Sequence, residues 1–168
     1  MSLKELIIRR GTPQDIPAAL QLIKELAAFE KAPHEVENTE EKMLEEGFSP
    51  NPVYGFHVAD HAGLIIGMAI YYFRYSTWKG KRLYLEDLIV TESFRGKGVG
   101  KLLFEVAVQE SKQTNCNGMV WQVLDWNTPA IEFYKKYQAS FDPEWVNCSL
   151  SGEQITAIAS QVSVGKEL

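Results

Sequence analysis

Between an apolar strand-like run, Leu88-Ile89-Val90, and apolar residues at helical spacing, Leu102, Leu103, Val106 and Ala107, the chain places Arg95-Gly96-Lys97-Gly98-Val99-Gly100-Lys101. Glycines at alternate positions let the backbone turn sharply, adopt positive φ and keep side chains away from whatever the turn approaches. A turn of this kind that runs straight into a helix gathers unpaired N–H groups and the positive end of the helix dipole at one point, which suits an anion. Lys97 and Lys101 add positive charge at the same end. The same glycines are compatible with no more than a tight connection, so the flanking residues must choose the ligand. A Walker loop needs Ser or Thr after the lysine and a glycine five residues before Gly100, where this chain has Leu102 and Arg95. A dinucleotide fingerprint needs a third glycine at Leu103. Both nucleotide motifs fail, and with them a nucleotide-binding switch.

The rest of the chain sets this unit in a mixed order of elements. Leu6–Arg9 reads as a strand; Thr12 with Asp15 opens a helix whose apolar face (Ile16, Leu20, Ile23, Ala27) runs to about Glu30; Asn38–Glu41 opens a second that Gly47 closes. Strand-like runs follow at Tyr54–Ala59, Leu64–Tyr75 and Arg82–Val90, with turns at His61–Gly63 and Thr77–Gly80. After the glycine-rich turn and its helix come a buried strand over Gly118–Val123, a short helix over Pro129–Tyr137 and two further strands. Helices, antiparallel strands and then strand–helix–strand imply an α/β (α+β) fold, a mixed sheet flanked by helices. With 168 residues and no linker or repeat, one domain spanning 1–168 is expected.

Composition narrows the class. At 45% hydrophobic and 23% charged residues the chain is neither disordered, collagen-like nor a coiled coil. Runs such as Leu64–Phe73 fall short of the ~18 residues of a membrane span. No secretory leader is evident, so a soluble, cytoplasmic protein with no membrane partner is expected. Cys116 and Cys148 are too few for a disulfide framework, and neither they nor the dispersed His34, His57 and His61 have metal-ligand spacing; no metal is expected. The net charge of -5 is unevenly spread: residues 1–50 carry six Lys/Arg against ten Asp/Glu, residues 71–101 seven against three. Such a chain is a poor nucleic-acid binder but is suited to an anion in one place and a cation in another.

Arg95-x-x-Gly98-x-Gly100, after Leu88-Ile89-Val90 and before an apolar helix, resembles the acetyl-CoA-binding loop of the Gcn5-related N-acetyltransferases (GNAT family), and the likeness extends over nearly the whole element order. Within that family, Lys24–Ala27, Gly47-Phe48, Tyr71–Phe73, Tyr84-Leu85-Glu86-Asp87, Trp126-Asn127 and Phe133-Tyr134-Lys135 resemble the spermidine/spermine (diamine) acetyltransferases and their thialysine-acetylating relatives. The resemblance implies a mostly antiparallel central sheet of about six or seven strands with about four helices. It implies an enzyme that transfers acetyl from acetyl-CoA directly to a primary amine of a small polyamine or diamine, usually as a homodimer. A thialysine or other amino-acid side-chain amine is the alternative substrate, and a non-catalytic acyl-CoA-binding module the alternative of another class.

On the same resemblance, the backbone from Gly96 through Lys101, with Arg95, holds the cofactor pyrophosphate. Leu88, Ile89 and Val90 pair with the pantetheine arm through main chain, and Asn127, Thr128, Pro129 and Ala130 meet the cofactor on its other side. An alkylammonium is mostly protonated at neutral pH, a deficit of about 4–5 kcal/mol, so some group must take its proton. The resemblance assigns that to Glu86, directly or through water, and assigns Tyr134 as the acid that meets the leaving thiolate. Read alone, Glu86 is better taken as a solvated strand-end carboxylate or one paired with Lys81 or Arg82, and Tyr134 as a core aromatic. Regular alternation sends Asp87 to the opposite face from Glu86; a bulge would cancel that. The implied amine channel draws on Phe29, Glu30, Trp78, Glu86, Asp87, Val120, Trp121, Gln122, Glu144 and Trp145, since carboxylates and aromatic faces both attract cations. Two departures from the family pattern stand out. Ser76 replaces an aspartate, which favours a smaller amine than a long polyamine, and Gln138 replaces a glycine, so the last helix is expected to end differently.

Overall fold

Asp15 anchors the start of the fold. Its carboxylate accepts from the Thr12 amide and hydroxyl, each at 2.8 Å, and takes two bonds from the Arg9 guanidinium at 2.7 and 2.8 Å. Arg9 also reaches Asp60, at 3.0 Å, so one arginine ties three segments together. The computed structural model describes residues 4–160. From Asp15, α1 (Ile16–Phe29) runs along the sheet with Ile16, Ala19, Leu20 and Leu22 buried, Pro17 being tolerated in its first turn. The second helix, α2 (Glu40–Phe48), starts at Thr39, whose side chain accepts from the Lys42 amide.

The sheet contains β1 (Leu6–Arg10), β2 (Gly55–His61), β3 (Leu64–Ser76), β4 (Gly80–Val90) and β5 (Met119–Val120) in that spatial order. All neighbours are antiparallel except β4 and β5, which pair in parallel after the crossover through α3 (Val99–Gln113). Phe56, Val58, Met68, Ile70 and Ile89 on one face pack with the buried side of α1 and with Met43 of α2. The amphipathic α3 covers the other face, where Leu103 reaches Gly67 and where His57 and Glu110 approach to 3.7 Å.

The mixed, mostly antiparallel α+β sheet is as expected, with two differences of extent. The strand expected over Gly118–Val123 is only two residues long, because β5 pairs with Leu83 and Tyr84 and with nothing further along β4. The two final strands are absent among the described residues. The stretch 139–151 has neither helix nor strand and 141–150 is exposed throughout; α5 (Gly152–Ala159) follows, after the short α4 (Thr128–Lys135). Ser151 and Gln154 exchange bonds in a capping box, and the Gln-Ile-Thr-Ala-Ile-Ala run continues the helix they start. The part of the expected last strand beyond residue 160 lies outside the described residues. Among the described residues there are therefore five strands in the sheet and five α-helices.

The C-terminus of α4 corrects another expectation. Gln138 adopts a φ of 56° and its amide donates to the Lys135 carbonyl, so it occupies the left-handed conformation that a glycine would supply and the helix ends in that same way. The chain divides into two compact units, Met1–Gln122 and Val123–Leu168. No helix among the described residues is long and apolar enough to cross a membrane, and Cys116 and Cys148 are both free thiols.

Candidate active site

A single extra residue shapes the acidic part of the first unit. The β3–β4 ladder runs regularly from Ser76 opposite Gly80 to Tyr71 opposite Leu85, then resumes with Ile70 opposite Asp87. Glu86 is left over as a bulge. Without it Asp87 would point away from Tyr84; with it Asp87 lies opposite Ile70, on the face shared by Tyr72 and Tyr84, and Glu86 acts electrostatically on both tyrosines. The two adjacent carboxylates thus serve one side of the sheet, and Glu30, at the C-terminal cap of α1, joins them.

Crowding three carboxylates has a measurable consequence. Burial, then Glu86, then Glu30 raise the half-buried Asp87 carboxyl to about 6. Glu86 is exposed along part of its length yet desolvated enough by its surroundings to sit above the ordinary glutamate value, and burial raises Glu30 likewise. Such a cluster attracts a cation, and a bound cation would reverse the shifts.

At the other end of β4 the glycine-rich turn has the features an anion needs. Gly96 and Gly98 have φ of 73° and 87°, and a Cβ built on either meets no atom within 4 Å, so both present bare backbone to open space. Gly98 is the N-cap of the fifteen-residue α3, whose first turn is rooted by buried Val99; Gly100 approaches Val90. The lysines contribute charge near the turn, though their ammonium groups are engaged: Lys97 donates to the Ser93 carbonyl at 2.7 Å, and Lys101 lies 3.8 Å from Glu105. Arg95 donates from Nε to the Val90 carbonyl at 2.8 Å. Leu88, Ile89 and Val90 pair with Ala69, Met68 and Gly67 on one edge; on the other, among the described residues, no strand accompanies β4 beyond Tyr84. That edge offers its main chain to an extended ligand.

In the C-terminal unit, Asn127 caps α4 by accepting from the Ala130 amide at 3.3 Å, with Thr128 and Pro129 in the first turn. Tyr134 is 6% exposed, its ring 5.2 Å from that of Phe133, and burial raises its phenol to about 12. Glu144 and Trp145 lie in the exposed irregular stretch, the Glu144 amide bonded to Asp142.

The other expected pocket residues of the first unit lie on several elements. Trp78 stands at the tip of the β3–β4 hairpin, 84% exposed and six residues of strand away from Glu86. Trp121 packs its ring against Phe104 of α3, at 5.3 Å, while Val120 belongs to β5 and Gln122 is exposed. Phe29 lies under the Arg95 guanidinium, 5.0 Å from ring centroid to Cζ. Sequence reasoning missed a second tie beside it, the 2.9 Å bond from the Thr91 hydroxyl to Glu25. The four-residue spacing of Glu25 and Phe29, matched by Thr91 and Arg95, was its only trace.

The acetyltransferase (GNAT) family model matches residues 20–139. This chain belongs to the GNAT family. Among its relatives, the mouse (Mus musculus) thialysine N-epsilon-acetyltransferase is 33% identical over 92% of this chain and 97% of its own length. The human (Homo sapiens) spermidine/spermine N(1)-acetyltransferase-like protein 1 is 38% identical over 76% of this chain and 19% of its own. The fold is shared with an aminoglycoside N-acetyltransferase, AAC(6')-Iy, solved in complex with CoA, at a TM-score of 0.70 and 18% identity, over 86% of this chain and 94% of that one. GNAT membership makes the protein an N-acetyltransferase that uses acetyl-CoA and acts on an amine. The residues present fit that donor: open left-handed glycines at a helix N-terminus for the pyrophosphate, and an unpaired strand edge for the pantetheine amides.

Proposed function

We propose that this GNAT enzyme acetylates the terminal primary amine of a small, flexible cation, thialysine first and a diamine or polyamine second. The observation that carries this reading is the bulge at Glu86, which brings Glu86 and Asp87 to one face of the sheet with Glu30. The thialysine relative matches over nearly its whole length, whereas the spermidine/spermine-like relative supports the polyamine reading over a smaller part. Ser76, where an aspartate is expected, removes one anchor for a long polycation.

In this reading Glu30 and Asp87 hold the positive charge of the substrate and Glu86 takes the proton from the reacting ammonium, directly or through water. The division of labour is needed because a carboxylate that binds an ammonium also stabilises its protonated form. Acetyl-CoA supplies the activated acetyl group. Tyr134 faces a thiol leaving group of ordinary pKa near 8.5; with its own raised to about 12, complete proton transfer is uphill by about 5 kcal/mol. Its role is therefore to donate a hydrogen bond to the sulfur as charge develops there. The Gly96–Lys101 backbone holds the pyrophosphate, β4 from Leu88 to Val90 pairs with the pantetheine arm, and Asn127 to Ala130 supply the second cofactor contact. The family match over residues 20–139 supports reading the chain as one acetyltransferase domain, and the family resemblance supports a homodimer.

A thiol-release assay with acetyl-CoA against thialysine, lysine, putrescine, spermidine and spermine tests the substrate class. The expected result is the highest kcat/KM with thialysine. A preference for spermine would overturn that order, and no release with any of the five would overturn the small-cation reading. Sedimentation at equilibrium tests the dimer.

A further inference from the structure

We propose that Phe29 and Glu25 of α1 are positioning residues for the acetyl-CoA loop, acting through Arg95 and Thr91. The inference rests on the reading that the Gly96–Lys101 backbone holds the cofactor pyrophosphate. Glu25 and Phe29 lie one helical turn apart on α1. Thr91 and Arg95 bracket the single 3-10 turn, Glu92–Phe94, through which the chain passes from β4 into the glycines. The two pairs meet in register: the Thr91 hydroxyl donates to Glu25 at 2.9 Å, and the Arg95 guanidinium covers the Phe29 ring at 5.0 Å.

Arg95 is otherwise an exposed side chain, and a solvated arginine carries substantial rotamer freedom that an anion would have to remove on binding. Here its Nε is tied to the Val90 carbonyl and its guanidinium carbon lies over the Phe29 ring. A cation held over a ring spends no hydrogen bond on it, so the contact with Phe29 does not itself consume the terminal N–H groups that suit a phosphate. The ring thereby orders the cation before the ligand arrives. Phe29 was expected among the amine contacts, yet its ring already carries one fixed positive charge, and a substrate ammonium brought to the same ring would be repelled by Arg95. Glu30 follows directly, so the last turn of α1 presents one residue to the loop and the next to the carboxylate cluster.

Calorimetric titration of the full chain with CoA decides the proposal. Phe29→Leu is expected to weaken CoA binding about three- to fivefold by removing the π face, and Phe29→Trp to restore it to within about twofold. Thr91→Val, which keeps the shape and loses the hydroxyl, is expected to weaken binding about threefold with an unchanged melting temperature. A leucine variant with unaltered CoA affinity, or a tryptophan variant no better than leucine, overturns the role of Phe29; an unaltered valine variant overturns that of Glu25. Loss of CoA binding by the unsubstituted protein would instead overturn the loop reading, and the proposal with it.

Discussion

At Asp87, burial and two neighbouring carboxylates hold the carboxyl at about 6 in the folded state, against an ordinary value of 3.8. The folded protein therefore binds this proton more tightly than the unfolded chain. The stability linked to it is fully present below about pH 4 and is lost as pH rises through about 6. Asp87→Asn removes the charge and should stabilise the unliganded protein by about 2 kcal/mol at pH 7.5, with the difference vanishing below about pH 4. Thermal melts across that range check it. In the proposed reading activity moves the other way, because the asparagine gives up the charge assigned to the substrate cation. Tyr134 provides the second test at this scale: Tyr134→Phe should lower kcat by about tenfold or more, with CoA affinity and melting temperature close to those of the unsubstituted protein. An unchanged kcat would remove the phenol from the reaction.

The elements carry their own predictions. Gly98 caps α3 at a φ of 87° with open space where a side chain would stand. Gly98→Ala should cost about 1–2 kcal/mol in backbone strain and, if the turn holds the pyrophosphate as proposed, weaken CoA at least about tenfold. Folding should survive, as no packed atom is displaced. Gln138 is the converse case, a side chain in the left-handed region at the end of α4. Gln138→Gly should raise stability by about 1 kcal/mol in denaturant titration. The helix start at Thr39 and the turn at Ala62-Gly63 are legible because they depend on residues within one turn of each other. The extent of β5 is not, since Met119 and Val120 are strand only where Leu83 and Tyr84 lie beside them. The bulge is of the same kind. Tyr-Leu-Glu-Asp allows regular alternation or an extra residue at Glu86, and the register of β3 decides between them.

Across the whole molecule, Arg9 fastens β1, the entry to α1 and the end of β2 through Asp15 and Asp60. The Arg9 guanidinium beside Asp15 lowers its carboxyl to about 2, so the stability it confers is present above about pH 4 and is lost as pH falls towards 2. Asp15→Asn should cost about 2–3 kcal/mol at pH 7 and flatten the acid limb of a stability–pH curve between pH 4 and 2. The uneven charge along the chain has a similar global meaning. The basic segment contains the glycine turn, the acidic half supplies Glu30, and Glu86 and Asp87 lie inside the basic segment itself. Legible in the residues alone were the strand–turn–helix unit, the order of elements as far as α4 and, through the resemblance of its motifs, the family. The elements follow from local periodicity, capping and the positive φ that glycine permits. Register and packing decided that Glu86 and Asp87 share a face, that Phe29 lies under Arg95 and that Trp78 stands exposed at a hairpin tip. Register, burial and the approach of one element to another depend on residues far apart in the chain, and no local pattern encodes them.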